Sequence, residues 1–235
     1  MSNVLVIADT HCPCMHDDYV DFLLEIQESW SCDRVVHIGD VVDWASINYH
    51  PKAPSLRNSE EEFAKAYEQV QCLYSAFPKL DWLVGNHDCL TERNAADIGM
   101  PVNVLKDYNS LWEVDKNDWT IHRRFKDLII DGVIYRHGDK GKGGGFPAFA
   151  NAQVEFQSVV QGHFHSTSGV LFGANRNSRY FGMQVGCGVD YRLSAMDYGI
   201  KYAKRPILGC GVVLNGEIPI FEPMLLTNKK GILEC

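Results

Sequence analysis

Five short apolar runs in this chain each break off at a cluster of Asp, Asn and His residues, and no other feature constrains the fold as strongly. Val4-Leu5-Val6-Ile7-Ala8 stops at Asp9-Thr10-His11, and Arg34-Val35-Val36-His37-Ile38 stops at Gly39-Asp40 with Asp43 just beyond. Leu80 to Val84 stops at Gly85-Asn86-His87-Asp88, Leu128 to Arg136 at His137-Gly138-Asp139, and Ser158-Val159-Val160-Gln161 at Gly162-His163-Phe164-His165. Short, β-branched runs of this kind read as buried strands. Ligands of open α/β sheets bind beyond the carboxyl ends of the strands. Five strands delivering metal-ligating residue types to that edge therefore predict a metal centre.

The segments between the runs fill in an α/β architecture. A helix is expected from about Asp17, with Phe22, Leu23, Ile26 and Trp30 on one face. Ser59 and Glu62 have the spacing of a capping box, and Phe63, Tyr67, Val70, Tyr74 and Phe77 continue at helical intervals. Leu105 to Val114 reads as a further helix and Trp119 to His122 as a strand. Val170 to Phe172, Tyr180 to Val185, Ile207 to Leu214 and Ile218 to Phe221 follow as strand-like stretches separated by glycine-rich turns. Helices early and strands late predict a layered sandwich of two mixed β-sheets flanked by helices.

Composition narrows the function. With 235 residues, 46% of them hydrophobic, the chain can form one domain spanning 1–235 with its own core. Lys+Arg is 22 against Asp+Glu 30, a formal net charge of −8, which disfavours duplex nucleic acid as a partner. No run approaches the roughly 20 apolar residues of a membrane span, and no basic segment precedes Val4 as in a secretory leader. The eight cysteines are then expected as free thiols in a reducing, cytoplasmic setting.

Singly, each polar cluster would pass for a turn or a surface histidine. Together, Asp9-x-His11, Gly39-Asp40-x-x-Asp43, Gly85-Asn86-His87-Asp88, His137 and Gly162-His163-x-His165 resemble the calcineurin-like metallophosphoesterase superfamily, with no ligand position missing. The resemblance implies that Asp9, His11 and His165 bind one metal, that Asn86, His137 and His163 bind another, and that Asp40 bridges them. Physical chemistry agrees: two nearby dications repel, so a shared carboxylate is needed between them. Oxygen and imidazole donors without thiolate suit Mn²⁺ best, with Fe, Zn, Co or Ni as alternatives. The mechanism implied is in-line attack on phosphorus by hydroxide held at the metals, with His87 as general acid. Asp43, rather than Asp88, is expected to orient His87.

Weaker candidates surround this set. Arg93 is placed to clamp a substrate phosphate, Lys140 and Lys142 lie in the glycine-rich stretch Gly138 to Gly145, and Trp44, Tyr49 and His50 follow Asp43 as a candidate base-binding wall. Cys12 and Cys14 near His11 and His16 have the makings of a soft-metal site, but His11 already belongs to the stronger pattern, so these thiols are expected instead as oxidation targets beside the centre. A small nucleotide or phosphodiester is the favoured substrate. A single-strand nuclease, a protein Ser/Thr phosphatase and a non-catalytic metal-binding scaffold are the alternatives.

Overall fold

Side chains of the first strand alternate between two buried faces. Val4 and Val6 pack with Val36, Ile38, Tyr135, Val160 and Met183, whereas Leu5 and Ile7 pack with Tyr19, Leu23, Val70 and Trp82. Burial on both faces is why the run shows no polar alternation. The computed structural model describes residues 1–49, 57–190, 192–193 and 205–226.

Along the chain the first elements are β1 (Asn3–Ile7), α1 (Tyr19–Ser29), β2 (Arg34–His37), α2 (Ser59–Ala76), β3 (Leu80–Leu83), α3 (Leu90–Asp97), α4 (Tyr108–Trp112) and β4 (Trp119–His122). The hairpin β5 (Leu128–Ile130) and β6 (Val133–Arg136), α5 (Pro147–Glu155) and β7 (Val159–Gln161) come next. The strands β8 (Gly169–Ala174), β9 (Arg179–Gln184), β10 (Gly209–Leu214) and β11 (Ile218–Pro223) complete the order.

One sheet has the order β11-β10-β1-β2-β3-β4 and the other β5-β6-β7-β9-β8. Strands β1 to β4 are parallel, with β10 antiparallel to β1. In the second sheet β6, β7 and β9 are parallel, and β5 and β8 are antiparallel edges. The layer holding Val6, Val36, Val160 and Met183 lies between the sheets. Helices α1, α2 and α4 cover the outer face of the first sheet around Trp82, Trp112 and Trp119. Phe149 and Ala152 of α5 cover the second against Ile134, Val159 and Tyr180. This is the expected sandwich of two mixed sheets flanked by helices.

Several local expectations change. Asn58, not Ser59, caps α2, its side chain accepting from the Glu61 N–H. The Glu62 carboxylate turns instead to the amides of Ala45 and Ser46, pinning the loop that follows Asp43. The segment expected as a helix from Leu105 to Val114 is helical only over Tyr108–Trp112, ended by Glu113 in a left-handed conformation (φ 52°). Leu128 to Arg136 is two strands, not one, because Asp131 and Gly132 adopt positive φ and make a tight hairpin turn. Helices α3 and α5 went unread, although Pro147 in the first turn of α5 is a start signal. No helix among the described residues is long and apolar enough to cross a membrane.

Candidate metal centre

The carboxyl ends of β1, β2 and β3 meet those of β6 and β7 at one edge of the sandwich. Asp9, His11 and His165 form one cluster there and Asp40, His137 and His163 a second, the ligand atoms of each lying within 4.8 Å of one another. His165 Nε2 stands 3.2 Å from Asp9 Oδ1, and His137 Nε2 3.2 Å from Asp40 Oδ2. Asn86 joins the second cluster, its Oδ1 3.0 Å from His137 Nε2. Asp40 Oδ2 is also 3.7 Å from His11 Nε2, so this one oxygen faces both clusters.

Hydrogen bonds fix which imidazole nitrogens face inward. His11 Nδ1 lies 2.8 Å from Asp43 Oδ1 and donates to it, while His11 Nε2 is buried with no hydrogen-bond partner. That nitrogen carries a lone pair into a space bounded by the carboxylates of Asp9 and Asp40. Leaving a buried polar atom unpaired costs about 1–3 kcal/mol, and a cation supplies the missing partner. His137 Nδ1 is likewise held by the Ile38 carbonyl at 3.0 Å, which directs Nε2 at Asp40 and Asn86. A polar group anchoring the outer nitrogen of a metal-facing histidine is the usual support for such a ligand. The donor set therefore fits divalent cations.

A third grouping, His11, Asp43 and His87, has a different character. Both Nδ1 atoms converge on Asp43 Oδ1, at 2.8 Å from His11 and 3.2 Å from His87, and His87 Nδ1 also lies 2.8 Å from the Asp43 carbonyl. Asp43 is thus a shared anchor for two rings. Asp88 does something else. Its carboxylate accepts from the amides of Asp40, Val42 and Gly85 and from the Trp82 indole, at 2.8–3.1 Å. One buried anion ties the Asp40 turn, the Asn86 turn and the core together.

Backbone conformation explains the glycines. A Cβ on Gly85 would collide with the Asp40 carboxylate, and one on Gly162 with that of Asp9. These glycines make room for the acids. Asp9, His11, Asp40 and His163 all have positive φ, between 47° and 67°. Non-glycine residues held there cost of order 1–3 kcal/mol each, and such strain gathers at functional sites. Behind the Asp40 turn, the Gly39 amide donates to His37 Nδ1, and His37 Nε2 meets the Thr10 hydroxyl, which donates to the Val41 carbonyl. Burial pushes His37 down to about 3, so it is a neutral strut. The sequence gives no sign of that role, since His37 reads there as one more strand residue.

The charges are uneven. Burial opposes ionisation of Asp40, but His137, His87 and His11 outweigh it and hold the carboxyl well below the usual range. Burial also opposes charge on His137, yet Asp40 and Asp9 raise that ring to about 10. His11 and His163 are lowered, chiefly by burial.

The outlying candidates separate. Arg93 Nη1 lies 3.4 Å from the Asn86 carbonyl, with its guanidinium 4.9 Å from the centre of the Tyr49 ring, so it flanks the Asn86 turn. Trp44 is no base-binding wall: it is buried against Phe63 and Trp112. Tyr49 is exposed and donates to Asp97, and His50 lies outside the described residues. The seven described cysteines are free thiols. Cys12 and Cys14 are buried and join none of the three clusters, and burial pushes the Cys12 thiol up to about 12 and Cys14 upward too. Burial thus disfavours the reactive thiolate form of both.

The profile of the calcineurin-like phosphoesterase family matches residues 2–202. The chain belongs to that family, and the membership supports metal-dependent hydrolysis of phosphate esters. No curated protein matches it. Similar solved structures include a Pseudomonas putida nuclease MPE, at 13% identity and TM-score 0.42, covering 94% of this chain and 87% of that one. A metallophosphoesterase from Sphaerobacter thermophilus matches at 13% identity and TM-score 0.44, covering 95% and 88%. Chaetomium thermophilum Vps29 matches at 8% identity and TM-score 0.47, covering 100% and 94%.

Proposed function

We propose that the protein is a binuclear metallophosphoesterase acting on small phosphodiesters or nucleotides. Asp9, His11 and His165 hold one divalent cation, Asn86, His137 and His163 hold the second, and Asp40 serves both. The observation that carries this reading is the buried, unpartnered His11 Nε2 facing two carboxylates. Cations bound there supply a water of lowered pKa and neutralise phosphate oxygens.

The protein's own groups do the rest. The Asp43 carbonyl and carboxylate hold His87 by Nδ1, leaving Nε2 for the leaving oxygen. Burial disfavours charge on His87, but Asp40 and Asp43 raise it, to about 10 before any cation binds at Asp40, and so favour the protonated ring that an acid needs. Arg93, beside the Asn86 turn, offers a fork of donors to a phosphate oxygen.

Chelation is expected to abolish hydrolysis of bis(4-nitrophenyl) phosphate, and Mn²⁺ to restore it at least as well as Mg²⁺. Mg²⁺ prefers oxygen ligands and suits an imidazole-rich site poorly. Restoration by Mg²⁺ with Mn²⁺ inert would overturn the ligand set. Ions bound with no turnover of any ester would make the chain a metal-binding scaffold. Metal affinity also rises with pH. His137, raised to about 10, must shed its proton to ligate, so titration calorimetry in buffers of different ionisation heat will register proton release.

Dinucleotides are expected to be cut faster than plasmid duplex at physiological salt. The net charge of −8 provides no basic footprint for a duplex. Robust plasmid cleavage with dinucleotides untouched would reverse this.

A further inference from the structure

Beside the candidate centre lies a second feature that the hydrolytic chemistry does not use. A pocket of about 380 Å³ is lined by His137 together with Phe125, Lys126, Lys140 and Lys142. This is the size of a small-ligand site, and His137 belongs to both the pocket and the metal centre. His137 is the residue at which the pocket and the centre meet.

The charges around this pocket are sorted. Its acids already have partners: Asp127 and Glu155 bind Arg136 at 2.7 and 2.9 Å, and Asp139 binds Arg124 at 2.6 Å. Lys126, Lys140 and Lys142 make no ion pair among the described residues. The pocket rim thus keeps unneutralised cations in a protein whose net charge is −8. Phe125 stands among them, 56% exposed and at φ 65°, a conformation that a bulky side chain rarely adopts. Arg124 lies 4.5 Å and Lys140 5.8 Å from its ring centre. An exposed aromatic ring interleaved with cations is the arrangement that takes a stacked base and its phosphate.

We propose that this pocket binds the nucleotide half of the diester. The base lies against Phe125, and Lys140 and Lys142 hold a phosphate additional to the one being cut. The substrate class is then a short oligonucleotide with a terminal phosphate. The assignment deepens the hydrolase reading above and rests on it.

The test compares thymidylyl-thymidine, its 5′-phosphorylated form and bis(4-nitrophenyl) phosphate with the Mn²⁺-loaded protein. The terminal phosphate is expected to lower KM about tenfold, the worth of one or two partly exposed charge-assisted contacts. Lys140→Ala/Lys142→Ala should erase that preference, with a far larger loss on the phosphorylated dinucleotide than on the aryl diester. Phe125→Ala should raise KM for both dinucleotides, and Phe125→Tyr should recover it. Equal KM values for the two dinucleotides, or equal losses on all three esters in the lysine variant, would overturn the proposal. If no ester is hydrolysed, the hydrolase reading fails by itself. Equilibrium dialysis then still decides the pocket, which requires tighter binding of the phosphorylated dinucleotide and loss of that advantage in the lysine variant.

Discussion

Asp40→Asn is expected to empty both metal sites together, whereas His165→Ala empties one. The Asp40 carboxylate is buried, and its Oδ2 faces His11 Nε2 at 3.7 Å and His137 Nε2 at 3.2 Å. Replacing it with a neutral amide removes a negative charge shared by two cations, so each loses attraction in a low-dielectric site. The fold survives, because Asn has the same shape and its carbonyl can still accept the His87 N–H that Asp40 Oδ1 accepts at 2.7 Å. Elemental analysis after dialysis measures the outcome directly. Thermal melting gives a second readout: Mn²⁺ raises Tm of the unaltered protein by mass action and leaves that of Asp40→Asn nearly unchanged. Two tightly held ions in Asp40→Asn would show that Asp40 is not shared.

His87→Ala is expected to cost about a hundred to ten thousandfold in kcat on a nucleotide or alkyl ester, the usual worth of general-acid assistance. The loss on a nitrophenyl ester is far smaller, because nitrophenolate leaves unaided near neutral pH. Both measurements use one variant, so misfolding or metal loss cannot imitate the difference. Truncation at Cβ keeps the backbone N–H that donates to Asp40. Equal losses on both esters would place His87 in substrate positioning. Loss of metal from the variant would make it a ligand.

The strand ends were legible in the sequence because the chemistry there is concentrated. Runs buried on both faces are mostly apolar until they stop, with His37 and Asp81 as exceptions, so Asp9, Asp40, Asn86, His137 and His163 stand out against Val, Ile and Leu. The order of the sheets was not legible. β10 joins the edge of β1 from more than two hundred residues away, and β9 lies between β7 and β8. Such pairings depend on long-range packing that no local pattern records. The hairpin at Asp131-Gly132 could have been read from its dipeptide. The part Asp88 plays could not: a carboxylate receiving four N–H groups looks in sequence like any acid beside a histidine. Gly85 and Gly162 read as turn residues, whereas what they provide is space for a neighbouring acid.

The two sheets are joined by an isolated bridge between Cys187, just past β9, and Leu208, just before β10. What lies between them is mostly an apolar layer, and apolar contact is non-directional and lets surfaces slide. Asp9, His11, Asp40 and Asn86 stand on one side of that seam, and His137, His163 and His165 on the other. Coordination fixes angles as well as distances, so under the proposed assignment cations held across the seam would act as rivets beside the hydrogen bonds already there, from His137 Nδ1 to the Ile38 carbonyl and from the His163 amide to Asp9. They would set the pitch of one sheet against the other more tightly than hydrophobic packing alone does. Under the proposed assignment, removing the cations is expected to loosen the two sheets at this edge, and the alignment of His87 with the edge opposite it would be disturbed first.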